Sequence, residues 1–435
     1  MKNLSYFKIL SLFAFIAVLS IGCSKKEDPV ITQENDLSLV LTSDAGSNEL
    51  EVVGLDQMVV FTVMGSDGED YTSAAKLYVN DTEINGSTYT FDATGTFSVK
   101  ALYEGVTSNI LNFEVLTASE RSLTLDVNRA MTDQTITFGL LDSDGNNTAS
   151  EATFYVNDEA ISGFTYSSNT EDDYEVYAEY TVNDETFTTE AKTFSVYMPK
   201  RNVVIEDYTG TWCGYCLKAV IAIDSAKVLT NNHVSVVAIH KRSFGDEPMH
   251  FPQVEDLQTE FDVPNSFPQT QLNRTERWND PYDYDAVTSI AGRESDVSVA
   301  INSQLNGATL SVDAKVVYRN GSEPGDKLVV YLLENGIVAD QANYFDTVEG
   351  HPYYGMGDPI IDYVHDDALR ESLSNLFGDD IPQTAAFEEH TKSYTFEVPA
   401  DYNADNLSFV VMVVKADNSA KNSQHAEIGE TKVFQ

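Results

Sequence analysis

Two of the chain's three cysteines, Cys213 and Cys216, lie close together in the segment TGTWCGYC (residues 209–216). A pair with this spacing can be a redox-active centre, a permanent disulfide or half of a tetrahedral metal site. A zinc site needs two further ligands, whereas the sequence holds no second cysteine pair and its seven histidines are scattered. We therefore expect thiol or disulfide chemistry here, with no metal ion and no cofactor.

The segments on either side of the pair favour a working thiol. RNVVIEDYTG (201–210) is typical of a short apolar strand, and CLKAVIAIDSAKVL (216–229) has helical spacing. Cys213 would then lie at or next to the helix N-terminus, where free backbone N–H groups and the positive end of the helix dipole stabilise a thiolate. Cys216 lies nearly one turn further on the same side. It can attack a mixed disulfide formed at Cys213 and release the partner.

The same stretch continues as alternating strands and helices. HVSVVAIH (233–240) has the β-branched content of a buried parallel strand, and a helix is predicted over 251–261. VPNSFPQTQLNR (263–274) supplies a third strand, and DYDAVTSIAGRE (283–294) a closing helix. Strand–helix–strand order of this kind predicts an α/β domain with a parallel core.

This pattern resembles the thioredoxin superfamily over residues 199–294. In NSFPQT, Pro268 matches the superfamily's cis-proline, which packs against the redox pair and offers the backbone of the preceding residue, here Phe267, to an extended substrate. Asp207 matches the buried acid that moves a proton for the second cysteine. Its neighbour Glu206 points to the other face of the strand and is the weaker candidate. The resemblance thus implies that Asp207 acts with the cysteines in catalysis.

Two residues of the cysteine motif complete the substrate-binding prediction. Trp212 supplies a flat apolar shield beside the pair, and Tyr215 stands between the cysteines. With Phe267 and Pro268 they form the expected substrate-binding set. The Gly-Tyr dipeptide resembles that of periplasmic disulfide isomerases, which implies an oxidising or isomerising role rather than a strongly reducing one. A fixed disulfide on a thioredoxin-like domain used only for binding remains the alternative.

The N-terminus predicts export and lipidation. Residues 1–22 combine Lys2 and Lys8 with an apolar run that is too short for a membrane-spanning helix, which needs ~20 residues, so we interpret them as a signal peptide. The run ends LSIGC, which resembles the lipobox of bacterial lipoproteins and implies that acyl chains such as palmitate anchor the mature protein at Cys23. Residues 23–36 are polar and form the expected lipidated tether.

A closer resemblance covers the second half of the chain. VVIEDYTGTWCGYC, FPQTQLNR and DYVHDDALR look like the Bacteroidota lipoproteins related to outer membrane protein 28, over about 200–435. SKKEDP, directly after Cys23, loosely resembles a signal for export to the cell surface. The two resemblances imply an outer-membrane lipoprotein displayed on the surface, with a periplasm-facing anchor as the alternative.

The net charge of the chain limits the classes of partner that it can bind. The chain carries 69 acidic against 26 basic residues, a formal net charge of -43. A protein this acidic repels nucleic acids and anionic lipid surfaces, so nucleic-acid binding is excluded from the expected functions.

An internal repeat organises the first half of the chain. The text from Ser66 (SDGEDYTSAAKLYVNDTEINGSTYTF) matches the text from Ser143 (SDGNNTASEATFYVNDEAISGFTY) at a constant offset, and the matched positions alternate apolar and polar residues. We predict two tandem immunoglobulin-like β-sandwiches, over 37–117 and 118–198. DSDGNN (142–147) resembles the opening of a calcium loop but lacks the bidentate glutamate, so a hairpin turn is the favoured interpretation.

Residues 295–435 return to β-type patterns. Three long alternating or apolar runs predict a C-terminal β-sandwich, interrupted by a large inserted loop with a helix near 366–376. The complete chain is thus predicted to be a multidomain α+β protein.

Two functions fit this organisation. In the first, the protein is a thiol–disulfide oxidoreductase or isomerase that acts on the thiols and disulfides of extracytoplasmic proteins. In the second, it is a surface binding or adhesion lipoprotein in which Cys213 and Cys216 form a permanent disulfide.

Overall fold

The structure is a computed structural model that describes residues 37–46, 50–243 and 247–435. It divides into two compact units, one ending at Val115 and the other running from Leu116 to Gln435. The predicted signal peptide, the lipidation at Cys23 and the tether fall outside the described residues. Within the described ranges, every helix is too short or too polar to cross a membrane.

The first unit is a β-sandwich formed by the first sequence repeat. A sheet of β1, β3 and β6 faces a sheet of β2, β9, β7, β4 and β5, with β8 paired to β7. Alternate residues of both sheets, such as Phe61 and Phe113, are fully buried between them. The strands are β1 (Leu39–Ser43), β2 (Leu50–Gly54), β3 (Met58–Gly65), β4 (Lys76–Val79), β5 (Thr82–Ile84), β6 (Thr88–Thr90), β7 (Gly95–Tyr103), β8 (Val106–Thr107) and β9 (Leu111–Leu116).

The second repeat forms the same sandwich at the start of the second unit. A sheet of β10, β12 and β15 faces one of β11, β18, β16, β13 and β14, with β17 paired to β16. Its strands are β10 (Ser122–Leu125), β11 (Arg129–Met131), β12 (Ile136–Leu141), β13 (Thr153–Val156), β14 (Glu159–Ala160), β15 (Thr165–Tyr166), β16 (Asp172–Val182), β17 (Glu185–Thr188) and β18 (Lys192–Tyr197). The two tandem β-sandwiches are therefore confirmed.

The calcium-like segment of the second repeat is a turn, as predicted. Asp142 Oδ1 accepts hydrogen bonds from the backbone N–H groups of Asp144 (3.0 Å) and Asn146 (2.8 Å). These bonds close an Asx-type turn. Among the described residues no group of three or more His, Cys, Asp or Glu side chains is arranged to hold a metal ion.

The segment around the cysteines forms strands and helices at the predicted places. β19 pairs in parallel with β20, and α1 connects them, whereas the third strand, β21, runs antiparallel to β19. The predicted closing helix is reduced to a single turn. These elements are β19 (Val203–Thr209), α1 (Leu217–Leu229), β20 (Val234–His240), α2 (Val254–Glu260), β21 (Gln269–Leu272), β22 (Glu276–Arg277) and α3 (Asp285–Thr288).

The remaining residues add strands to this sheet and build a second sheet against it. The strands are β23 (Val297–Asn306), β24 (Thr309–Tyr318), β25 (Lys327–Glu334), β26 (Ile337–Gln341), β27 (Ile360–His365), β28 (Ala368–Ser372), β29 (Asp379–Asp380), β30 (Glu389–Glu397), β31 (Leu407–Val414), β32 (Ala420–Glu427) and β33 (Thr431–Lys432). β30, β24, β23 and β33 form one sheet, and β26 pairs with β27 as a separate arm.

One sheet runs through the predicted boundary at residue 294. Its order in the described chain is β22-β21-β19-β20-β28-β25-β31-β32, with β29 paired to β25. One face packs against α1 and α3 at one end and against the β23–β24 sheet at the other. The opposite face packs against α2 along β19, β20, β25 and β31. Residues 199–294 and 295–435 therefore share a single sheet, with the β-sandwich packing of the C-terminal part confined to its far end.

The predicted helix near 366–376 is wrong. Residues Ala368–Ser372 form β28, which pairs antiparallel with β25 and, at Ala368, in parallel with Ala238 of β20. The segment has good helix formers, but its backbone hydrogen bonds complete the sheet between β20 and β25. Tertiary pairing outweighs local helix propensity here.

Candidate functional site

The two cysteines lie in the turn between β19 and α1. They form a disulfide with a Cα–Cα distance of 5.4 Å. α1 begins at Leu217 with Cys216 as its N-cap, so Cys213 lies in the turn that precedes the helix. Neither sulfur is open to a large partner in this conformation, since Cys213 is 5% exposed and Cys216 is 2% exposed.

Asp207 lies beneath the cysteines on β19. Its side chain is on the α1 face of the sheet, where Val203 and Ile205 also pack. The residue is buried, and its Oδ1 has no hydrogen-bond partner among the described residues. Burial raises the pKa of Asp207 to about 7. A carboxyl group with this pKa can exchange a proton near neutral pH.

Glu206 belongs to a different part of the molecule. It points to the opposite face of β19, where its carboxylate accepts a hydrogen bond from Arg274 Nε at 2.8 Å. Arg274 also donates to the Tyr331 hydroxyl at 2.7 Å. Both charged side chains are fully buried. Glu206 is therefore part of a buried ion pair on the face of the sheet opposite α1, and it does not contact the cysteine site.

Trp212, Phe267 and Pro268 form one flank of the disulfide. The Trp212 indole N–H donates to the Lys241 carbonyl at 2.7 Å, which fixes the ring. The ring stacks on Phe267 with centroids 5.7 Å apart. The Phe267–Pro268 peptide is cis and leads directly into β21. Three of the predicted substrate-binding residues thus lie together.

Tyr215 lies on the other flank, among residues that the sequence did not indicate. Its ring is 53% exposed and makes edge contacts with Tyr344 (5.0 Å) and Phe345 (5.8 Å). These two aromatic residues belong to an arm, residues 337–365, made of β26, β27 and the loop between them. The arm overlaps the segment that the sequence predicted as an inserted loop.

Residues 341–345 of the arm, which we call the cover segment, lie over the cysteine turn. The Ala342 N–H donates to the Thr211 carbonyl at 2.8 Å, and the Tyr344 N–H donates to the Gly214 carbonyl at 3.4 Å. Gln341 Nε2 donates to the Cys213 carbonyl at 3.1 Å. A side chain at position 214 would meet the Tyr344 ring at 2.5 Å. Only glycine at this position allows so close an approach.

A cavity of about 210 Å³ lies beside the disulfide and is lined by residues of β19, β20, α1 and the arm. Asp207 and Cys216 both line it. The arm contributes Tyr353, Tyr363 and His365 to its wall. His365 Nε2 is buried and has no partner among the described residues. Burial, and then the adjacent His240, lower the pKa of His365 to about 4, so its ring is neutral at pH 7.

Glu247 ties the cavity wall to the cysteine turn. One carboxylate oxygen accepts hydrogen bonds from the Thr211 backbone N–H (2.7 Å) and hydroxyl (3.0 Å), and the other lies 3.1 Å from His240 Nδ1. Burial alone would raise the pKa of Glu247, but the hydrogen bonds and charge of these partners lower it below its ordinary value. This buried network positions the start of the turn that carries Cys213.

The structure places Asp207, Trp212, Tyr215, Phe267 and Pro268 around the cysteine turn, and it adds contacts from the arm that the sequence did not indicate. His240 and Glu247 follow the cysteines in the sequence. A single histidine and a single glutamate form no motif that would mark them as site residues. The cover segment lies more than a hundred residues downstream, and its contacts depend on how the arm folds back on the sheet.

The comparisons with known proteins agree with part of this organisation. The model of a family described as outer membrane protein Omp28 matches residues 255–432. The matched range starts after the cysteines and includes the whole arm. No curated protein matches the chain.

Several solved structures have limited likeness to the chain. HBP35 of Porphyromonas gingivalis is 19% identical, with a TM-score of 0.41, and the match covers 54% of this chain and 77% of that one. The fibronectin(III)-like modules of Clostridium thermocellum CbhA are 18% identical over 36% of this chain and 93% of theirs, with a TM-score of 0.17. The D0-D1 domain of Intimin is 14% identical over 35% of this chain and 96% of its own, with a TM-score of 0.22.

Proposed function

We propose that this chain is an extracytoplasmic thiol–disulfide exchange protein, an oxidant or isomerase of other proteins' cysteines, held at the outer membrane by a lipid on Cys23. Its catalytic unit is the thioredoxin-like part that carries the Cys213–Cys216 pair. The observation that carries the proposal is the cavity that the buried Asp207 and the inner cysteine, Cys216, both line. The match to an outer-membrane family supports the location.

The proposed oxidation proceeds in two steps. A substrate thiolate attacks Cys213 Sγ, which forms a mixed disulfide, breaks the Cys213–Cys216 bond and releases the Cys216 thiolate. The Cys216 thiolate takes a proton from Asp207, whose pKa of about 7 permits both charge states near neutral pH. A second substrate thiol then attacks the substrate sulfur of the mixed disulfide and releases Cys213 as a thiol. Asp207 then regains a proton from the solvent, which took up the proton that the first substrate thiol lost on forming its thiolate. In net terms two electrons and two protons pass from the substrate to the protein.

In the reverse direction the same residues isomerise substrate disulfides. The Cys213 thiolate attacks a substrate disulfide, Cys216 gives its proton to Asp207, and the resulting thiolate resolves the mixed disulfide if the substrate does not rearrange first. Trp212, Phe267 and Pro268 seat the substrate chain on one flank, and Tyr215 contacts it on the other. The partners are therefore the thiols and disulfides of other extracytoplasmic proteins.

A second candidate function is binding without catalysis. The observation that favours it is the near-complete burial of both cysteines in a turn to which the cover segment is hydrogen-bonded. In that case the disulfide is a permanent brace, and the two β-sandwich repeats and the acidic surface bind the ligand of a surface lipoprotein.

Two measurements separate these functions. The first is the reduction potential of the Cys213–Cys216 pair, because structural disulfides lie below about -300 mV. The second is turnover in insulin reduction and in refolding of scrambled ribonuclease, with Cys213→Ser and Cys216→Ser as controls. Exchange activity predicts a potential above that limit, turnover in both assays that Cys213→Ser abolishes, and insulin reduction that Cys216→Ser also abolishes. A lower potential together with no turnover would leave the binding function.

A further inference from the structure

The cover segment contacts the cysteine turn through its main chain. Its backbone donates two hydrogen bonds, from Ala342 and Tyr344, to carbonyl groups of the cysteine turn. Because both donors belong to the main chain, another polypeptide could make the same two hydrogen bonds whatever its side chains, which would then supply the specificity. The intervening Asn343 faces away, and its side chain bonds to the Tyr353 and Gly357 carbonyls of the arm.

The side chains of the cover segment fill a specific place. The Tyr344 ring lies directly on Gly214, where any side chain would collide with it, and meets the exposed Tyr215 ring edge-on. Phe345 packs on Leu217, the first residue of α1, and is 6% exposed. Tyr344 itself is 53% exposed, so it is held by these surface contacts and not by the protein core.

We propose that the cover segment is a built-in occupant of the substrate site, and that the true occupant is a polypeptide segment that places an aromatic side chain on Gly214 in the position of Tyr344. This inference rests on the proposed exchange function and names its substrate class and its regulation. The cover segment occupies the Thr211, Cys213 and Gly214 carbonyl groups, and Cys213 is only 5% exposed, so a polypeptide can take these positions beside Cys213 only when the cover segment leaves. The substrate replaces the displaced hydrogen bonds and ring contacts with equivalent ones.

Competition between the cover segment and a substrate determines which substrates bind. The cover segment is part of the same chain, and tethered segments of this kind act at effective concentrations of about millimolar or more. A chain without an aromatic residue offers fewer replacement contacts and loses this competition. The site therefore selects disulfides or thiols that lie beside aromatic residues in unfolded or extended segments.

The first test measures access to the disulfide and needs no substrate. Full-length oxidised protein is treated with dithiothreitol, and the appearance of Cys213 and Cys216 thiols is followed by alkylation and mass spectrometry. Tyr344→Ala removes the ring contacts and should speed reduction about tenfold, the effect expected for losing an aromatic contact and weakening a hydrogen bond. Tyr344→Phe keeps the ring and should react like the unmodified protein. Tyr354→Ala changes another tyrosine of the arm, 50% exposed, and should also have no effect.

An unchanged reduction rate in Tyr344→Ala would overturn the covering role, whatever the turnover assays show. Faster reduction of this variant without turnover of any protein substrate would instead support the covering role and refute the exchange function.

The second test measures the aromatic preference. The Cys216→Ser, Tyr344→Ala double variant traps mixed disulfides at Cys213, whose thiolate attacks the peptide sulfur of a cysteine peptide activated with nitrothiobenzoate and releases the coloured thiolate. Two peptides differ only in Phe or Ala beside the cysteine. Faster reaction of the Phe peptide, by about tenfold, is expected from the same aromatic contacts. Equal rates would show that the site has no aromatic preference and overturn the substrate assignment.

Discussion

At the scale of single residues, the contacts around the cysteine motif change what its central Gly214-Tyr215 dipeptide indicates. The resemblance to periplasmic isomerases linked Gly214 and Tyr215 to the direction of catalysis. The structure adds a packing reason, because the Tyr344 ring occupies the space that any side chain at position 214 would need. Gly214 is thus required by the cover segment, and the dipeptide says less about redox direction than the motif alone implies.

Asp207 permits a prediction about pH and stability. Burial raises its pKa to about 7, whereas an aspartate in an unfolded chain has a pKa of about 3.9. Between these values the folded state binds the extra proton, so this carboxyl group lowers the free energy of unfolding as the pH rises. Asp207→Asn removes the buried charge and should stabilise the protein by about 1–3 kcal/mol at about pH 8, with little effect at about pH 4.

Urea denaturation of the oxidised protein at both pH values measures this difference. Asp256→Asn, which replaces an exposed carboxyl group on α2, is the matched control. An equal effect of Asp207→Asn at both pH values would contradict the raised pKa.

At the scale of secondary-structure elements, the buried pair of Glu206 and Arg274 joins the cysteine-bearing strand to the C-terminal part. Glu206 lies on β19, Arg274 lies in the turn between β21 and β22, and the hydroxyl of Tyr331 on β25 accepts the second hydrogen bond of the guanidinium. The face of the sheet that they occupy also carries the packing of α2. The polar cluster therefore sets how β19 and β25 lie in one sheet.

Breaking this pair should be strongly destabilising. Arg274→Met leaves the Glu206 carboxylate buried without a partner, and such a change costs about 3–5 kcal/mol. The double variant Glu206→Leu, Arg274→Met removes both charges and should recover much of the loss. Arg277→Met, at an exposed pair with Asp262, should change the free energy of unfolding by less than about 1 kcal/mol in denaturant titrations. A double variant as unstable as Arg274→Met would refute the explanation by unpaired charge.

At the scale of the whole molecule, the second repeat is part of the same compact unit as the cysteine site. Met131 and Tyr197 of the repeat form a buried cluster with Val317 of β24. The Arg129 guanidinium donates to the Phe434 carbonyl at 2.8 Å, and Arg319 pairs with Asp133 at 2.5 Å. The sandwich is therefore docked on the C-terminal sheet and is not a free spacer.

This docking predicts shared unfolding. Met131→Ala empties a fully buried position between the second repeat and the C-terminal sheet, and should lower the stability of the unit by about 2–5 kcal/mol. Differential scanning calorimetry should show the transition of residues 116–435 moving down as one. Met64→Ala, at an exposed position of the first repeat, should leave that transition unchanged. If Met131→Ala shifts only part of it, the second repeat unfolds independently.

The sequence by itself determined the features that depend on local spacing. Two sandwiches follow from a repeat with alternating residues, and the α1 face of β19 carries Asp207 because side chains alternate along a strand. The position of Cys213 and Cys216 between a strand and a helix is equally local. Each of these depends on neighbours within a few residues in the chain.

Only the tertiary structure decided which segments, distant in the sequence, contact the cysteine site. Residues 366–376 carry helix-forming side chains, yet β28 forms because β20 and β25 leave a place in the sheet for it. The cover segment and His365 reach the cysteines through the fold of the arm, and nothing in their own spacing marks them. Hydrophobic periodicity records which face of an element is buried, but not which distant segment buries it.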